Sequence, residues 1–178
     1  MNNSKKTITV FGSSIPVKGD DDYTFAYNLG YELGLNNFNV CSGGYKGIME
    51  ALSEGASDAG ADTYGITLDY VKWECNKFIK NEIKCSTLFE RITKLTDMGD
   101  AYIILKGGTG TLLELAAVWE FMNKDLLPVK PIIAHSQMWM DVCKIIDDRL
   151  LTEKRMTGLI KHFENVDEIV EYLKMKLI

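Results

Sequence analysis

The sequence predicts an α/β fold, a doubly wound parallel sheet with helices on both faces, carried as one domain over residues 1–178. Three observations support this. Short β-branched or apolar runs recur along the chain, and each is followed by a longer stretch of helical periodicity, the pattern of strands alternating with helices around a parallel sheet. Glycine-rich turns stand where three of those strands end. A length of 178 residues fits one compact domain, and no repeat of fixed period, linker or low-complexity segment divides it.

The elements follow in order. Thr7 to Phe11 is the first strand and ends at Gly12-Ser13-Ser14. Asp21 to Leu35 is helical, with Phe25, Leu29 and Leu33 in an apolar stripe. A second strand, Phe38 to Cys41, runs into Ser42-Gly43-Gly44, and the helix after it places Ile48, Met49, Leu52 and Ala56 on one side. Thr63 to Leu68 is a third strand. Asp69 to Lys84 is mixed, aromatic and charged, with weak periodicity, and reads as a lid or a binding loop. Thr87 to Met98 is helical, Ala101 to Leu105 is the most strand-like run, and Thr111 to Asn123 is a helix. Pro131 to Ala134 and Leu159 to Phe163 are shorter strands, followed by helices over Trp139 to Leu151 and Val166 to Leu177, the last capped by Asn165 or Asp167.

Composition excludes several classes. Hydrophobic content of 46% with 25% charged residues and three prolines is that of a globular chain. The net charge of -5 argues against nucleic acid as a partner, because that affinity comes mainly from lysine and arginine neutralising phosphates. Cys41, Cys75, Cys85 and Cys143 form no CxxC pair, and with two histidines in the chain no zinc spacing arises; no metal is expected. The cysteines read as reduced, mostly core residues of a cytoplasmic protein. The start through Asn2, Asn3, Ser4, Lys5 and Lys6, followed by an apolar run only a strand long, reads as neither signal peptide nor membrane span.

In parallel α/β sheets, ligands bind at the carboxyl ends of the strands. Three glycine turns fall there: Gly12-Ser13-Ser14, Ser42-Gly43-Gly44, and Gly107-Gly108-Thr109-Gly110-Thr111. Glycine lets backbone N–H groups approach an anion closely, and the helix that follows points its positive end at it. Such turns also serve strand-to-helix connections with no ligand, but three on one sheet edge favour a phosphate site and a Rossmann-like, nucleotide-binding domain. The spacing is neither GxGxxG nor GxxxxGK[ST], which sets aside a dinucleotide dehydrogenase and a P-loop NTPase.

Several side chains carry two readings. Thr111-Leu112-Leu113-Glu114 is a TxxE capping box, in which Glu114 bonds the helix start; otherwise its carboxylate faces the phosphate turn. Arg91 offers donors to a phosphate or to that carboxylate, or lies on a solvated face where Glu90 and Lys94 have ion-pair spacing. Glu50 belongs to the pocket or only to its helix, with the pocket favoured. Ser13 and Ser14 donate to a ligand or shape their turn. His135 and His162 lack the neighbours of a nucleophilic relay and read as structural.

Taken together, Ser42-Gly43-Gly44-Tyr45-Lys46-Gly47-Ile48-Met49-Glu50, then Arg91, then Gly107 through Glu114, resemble the LONELY GUY family. The resemblance runs from Thr7 to about Phe121. Its members are phosphoribohydrolases, long labelled possible lysine decarboxylases, which split nucleoside 5'-monophosphates, cytokinin riboside monophosphates included, into free base and ribose 5-phosphate. The resemblance implies Arg91 and Glu114 as the catalytic pair. It implies Gly12, Ser13, Gly43, Gly44, Glu50, Gly107, Gly108, Thr109, Gly110 and Thr111 as substrate-binding residues, with no cofactor. Lys106 replaces the family's proline before the two glycines and adds a charge near the phosphate, while Ile92 stands where a lysine commonly follows the arginine. Two further readings remain: a non-catalytic carrier or sensor of a phosphorylated ligand, similar to molybdenum-cofactor carriers, and a decarboxylase, for which no lysine is persuasively placed to form the pyridoxal phosphate imine. The resemblance and the apolar Thr111 to Asn123 helix, with Leu112, Leu113, Leu115, Val118, Trp119, Phe121 and Met122, point to a homodimer, although a buried central helix would explain the same residues.

Overall fold

Side chains alternate across each strand, and that alternation sorts the molecule into layers. In the computed structural model, which describes residues 5–178, Ile8 and Val10 of β1 (Thr7–Phe11) enter one core while Phe11 enters the other. In β5 (Ala101–Ile104), Ala101 and Ile103 join Ile8, and Tyr102 and Ile104 join Phe11. The polar start at Asn2, Asn3 and Ser4 lies outside the described residues.

The remaining strands are β2 (Asn39–Ser42), β3 (Thr63–Leu68), β4 (Asn81–Cys85), β6 (Ile132–Ala134) and β7 (Ile160–His162). They form one sheet in the order β4-β3-β2-β1-β5-β6-β7, and every pairing is parallel. The first core is closed by α1 (Asp21–Leu35), α2 (Ile48–Asp58) and α6 (Val166–Leu177), through Leu29, Leu33, Leu52, Ile169 and Leu173. The second is closed by α3 (Leu88–Met98), α4 (Thr109–Asn123) and α5 (Gln137–Thr152), through Leu95, Leu115, Trp119, Trp139 and Leu150. The chain winds outward from β1 in one direction and from β5 in the other, so the turns after these two strands lie side by side at the point where strand order reverses.

Local chemistry fixes the helix starts. Thr87 caps α3 by accepting the Glu90 N–H at 3.1 Å, and Asn165 caps α6 by accepting the Glu168 N–H at 2.9 Å. α1 and α2 approach closely because Gly30 and Gly55 have no Cβ: an added one would run into the Leu52 and Tyr27 carbonyl oxygens, respectively.

Most boundaries move by one or two residues, and two differences from the sequence reading bear on the site. α4 begins at Thr109, because Gly108 rather than Thr111 occupies the N-cap. The Asp69 to Lys84 segment ends in a strand, β4, whose Asn81, Glu82 and Lys84 are exposed while Cys85 is buried. It is an edge strand with little apolar alternation to announce it. The chain from β3 to β4 crosses without a helix: residues 69–76 arch over the carboxyl end of the sheet, and the chain then returns to the amino end, where the Thr63 hydroxyl donates to the Phe78 carbonyl at 2.7 Å.

Candidate functional site

Where β1 and β5 diverge, the three glycine turns and the start of α4 surround a cleft of about 430 Å³. The turn after β1 contributes Gly12, Ser13 and Ser14, the turn after β2 contributes Gly43 and Tyr45, and α4 contributes Thr109, Gly110, Thr111 and Glu114 behind Gly108. Arg91 of α3 reaches in from the second core. Among the described residues, no main-chain N–H from Gly107 to Thr111 donates to a protein acceptor, and Gly108 provides no side-chain cap. These are the donors that a helix start leaves unpaired, and here they belong to a 15-residue helix whose positive end adds to them.

The turn after β1 is bonded in part within the protein. The Ser13 N–H donates to the Lys106 carbonyl at 2.9 Å, and its Oγ accepts the Ile15 N–H at 3.1 Å. Ser13 therefore shapes its own turn and ties β1 to β5 at the cleft. The Ile48 N–H at the head of α2 donates to the Ser13 carbonyl at 2.9 Å. Gly47, at φ 71°, lets Ser13 and Ser14 pass where a side chain would collide.

Arg91 is only 9% exposed and has defined partners. Its Nε donates to the Ile66 carbonyl at 2.7 Å, and its Nη1 donates to Glu114 Oε1 at 3.3 Å. The guanidinium carbon lies 5.7 Å from the centre of the Tyr45 ring. Gly43 is glycine because a Cβ there would overlap Arg91 Nη2, with the Met49 sulfur behind it. The solvated-face reading of Arg91 does not hold, since Glu90 bonds the Ser86 N–H and hydroxyl at 2.7 Å instead of Lys94.

Glu114 is no capping residue: it sits one turn inside α4 and faces Arg91. Burial drives its carboxyl up from the usual range to about 7, and the charge and hydrogen bond of Arg91 only partly offset that rise. A carboxyl that titrates near neutrality, held by a fixed guanidinium at the wall of a polar cleft, is suited to exchanging a proton or facing positive charge.

Three expected substrate residues stand outside the wall. Gly44, at φ 77°, packs against the Gly65 backbone, and Gly107 lies against Thr111, where a Cβ would overlap its hydroxyl. Glu50 lines a neighbouring cleft with Lys18, Lys46 and Lys77, on the other side of Ser14 and Ile15, which border both clefts. Lys106 directs its ammonium to Asp22, 2.7 Å away and exposed, so it adds no charge to the cleft. His135 stacks on Phe25 at 3.9 Å, and its Nδ1 is 3.1 Å from the Phe163 carbonyl, as befits a structural residue. The sequence reading missed Tyr45, Met49, Leu68, Val71, Trp73 and Leu88 on the wall. Tyr45 lies inside the glycine motif, and Trp73 is the one tryptophan of the segment read as a lid or binding loop.

Comparison with known proteins adds a family, two relatives and a solved structure of the same fold. A model of the SLOG cluster4 family matches residues 5–160. An uncharacterized protein of Archaeoglobus fulgidus is 31% identical over 112 residues, which is 63% of this chain and 73% of that protein. A cytokinin riboside 5'-monophosphate phosphoribohydrolase of Rhodococcoides fascians is 25% identical over 125 residues, or 68% of this chain and 63% of that protein. The structure of the molybdenum cofactor binding protein of Rippkaea orientalis superposes with a TM-score of 0.81 at 21% identity, covering 99% of each chain.

Proposed function

The chain belongs to the SLOG cluster4 family, and from that premise we propose that it hydrolyses the N-glycosidic bond of nucleoside 5'-monophosphates, of the AMP or cytokinin riboside monophosphate type, to free base and ribose 5-phosphate. The observation that carries this reading is the row of unpartnered amides from Gly108 to Thr111, opening into the same cleft as the Arg91–Glu114 pair. The amides and the α4 dipole take the 5'-phosphate. That leaves C1' of the ribose toward the carboxylate one turn further along the helix.

The chemistry follows from charge. As the C1'–N bond breaks, its electron pair leaves with the base and positive charge builds on the ribose. An ionised Glu114 faces that charge and takes a proton from the attacking water, whose oxygen joins C1'; that proton passes on to the nitrogen of the departing base, which leaves neutral and restores the carboxylate. Arg91, tied to Ile66 and Glu114, orients the carboxylate. Kinship with the Rhodococcoides fascians hydrolase supports the reaction class.

A second reading, a non-catalytic carrier or sensor of a phosphorylated nucleotide-like ligand, is supported by the likeness to the molybdenum cofactor binding protein along the whole chain. One assay separates the two: incubation with AMP and other nucleoside monophosphates, with free base and ribose 5-phosphate measured. The hydrolase releases both, and Glu114→Gln binds without releasing. Saturable binding with no release from any nucleotide by the wild type leaves the carrier.

The assembly proposed with this function is a homodimer through the outer faces of α4 and α5. Leu112, Leu113, Ile145, Ile146 and Leu151 are exposed there, and a groove beside them holds the buried Trp119 Nε1 and Asn123 Oδ1, which have no partner among the described residues. The cytoplasmic placement stands as a proposal too; among the described residues, no helix is long and apolar enough to cross a membrane.

A further inference from the structure

The two ends of the cleft differ in chemistry. The β5 end presents amides and hydroxyls, whereas the β3 end presents Leu68, Val71 and Trp73, with Tyr45, Leu88 and Ile15 beside them. β3 and β5 are separated by β2 and β1, so three strand spacings, about 14 Å, lie between the ends. The Arg91–Glu114 pair sits between them, with Arg91 bonded to β3 at Ile66 and Glu114 carried by α4. A nucleotide stretched from phosphate to base has this order of parts: anion, sugar, flat ring.

The arch over residues 69–76 is held at both feet. The Asp69 N–H donates to the Cys85 carbonyl at 3.0 Å. At the other foot, Asn76 is buried and staples the arch to the second glycine turn: its N–H donates to the Gly44 carbonyl at 2.8 Å, and its Nδ2 donates to the Gly44 and Tyr45 carbonyls at 3.1 and 2.9 Å. Between the feet stands Trp73. Its ring meets Tyr45 edge to face, with centroids 5.6 Å apart at 84°, and yet it is 69% exposed. Tyr45 cannot follow it outward, because the Tyr45 hydroxyl accepts the Leu68 N–H at 2.8 Å and the ring is buried against Arg91. A large apolar ring left mostly uncovered, on a loop anchored so that it borders the cleft, is a surface awaiting another flat ring.

We infer that Trp73 is the residue on which the planar heteroaromatic base of the substrate stacks, so that the site selects base-bearing 5'-phosphates over bare sugar phosphates. This rests on the nucleotide reading above. Stacking is tolerant of base identity, so Trp73 sets the class of ligand, while Asn76 acts as a positioning residue that holds the arch in place.

The test measures binding of AMP and of ribose 5-phosphate, in the Glu114→Gln background so that AMP is not consumed. Trp73→Ala weakens AMP about ten- to a hundredfold and leaves ribose 5-phosphate within about twofold; Trp73→Phe recovers most of the loss. In the protein with Trp73 intact, AMP shields tryptophan fluorescence from iodide and ribose 5-phosphate does not, since Trp119 and Trp139 are buried. Equal weakening of both ligands, unchanged AMP affinity in Trp73→Ala, or no shielding by bound AMP overturns the inference alone. Binding of neither ligand by the parent protein overturns the nucleotide reading and the inference with it.

Discussion

Glu114→Gln is expected to make the protein more stable, and by an amount that depends on pH. The glutamine keeps the shape of the protonated acid beside Arg91 but cannot ionise. Raising the carboxyl from 4.5 to about 7, at about 1.4 kcal/mol for each tenfold change in proton affinity, means that the ionised form costs the fold up to about 3 kcal/mol. The sign follows from proton counts. Between about 4.5 and 7 the folded chain holds a proton that the unfolded chain has released, so wild-type stability falls as pH rises through that window, and the penalty is complete above it. The variant lacks this fall. At pH 8 it should melt about 6–12 °C above wild type, using about 2–4 °C per kcal/mol for a chain of this size, and at pH 5 the gap should be small. Thermal unfolding of both proteins at the two pH values measures it. The same titration predicts that base release by the wild type rises as pH passes through about 7, since the ionised carboxylate is the working form. A gap equal at both pH values, or a variant that melts below wild type at pH 8, would falsify the claim that burial of an ionisable Glu114 is the dominant effect.

Gly43→Ala places a methyl group into the Arg91 guanidinium with Met49 behind it, and overpacking of that kind costs about 1–3 kcal/mol. Displacing Arg91 by even an ångström should also lower base release about a hundredfold; calorimetry and a release assay that both match wild type would show the contact to be slack. Lys106→Ala should change the apparent AMP affinity by no more than about twofold, because its ammonium is engaged by Asp22 on the surface, and an exposed pair is worth at most about 1 kcal/mol. A larger loss of affinity would return Lys106 to the phosphate site.

Alternation of strand and helix, and the glycines at strand ends, were legible from residue order because both are local. The period of apolar residues depends on neighbours within a few positions, and Gly12, Gly43 and Gly108 interrupt it where the chain must turn. The sequence therefore determined the layered α/β fold, the strand ends that face the cleft and the family. β4 escaped that reading, since an edge strand with exposed Asn81, Glu82 and Lys84 has almost no apolar period to display. What only the tertiary structure decided is the pairing of residues far apart in the chain. TxxE spacing fits a cap as well as a buried carboxylate, and the choice fell to Arg91, 23 positions away, brought over by α3 and held by the Ile66 carbonyl. Trp73 was placed by hydrogen bonds from Asn76 to a turn 31 and 32 residues earlier. Such contacts leave no mark on local periodicity, because the energy that selects them comes from desolvation and from partners that exist only once the sheet has formed.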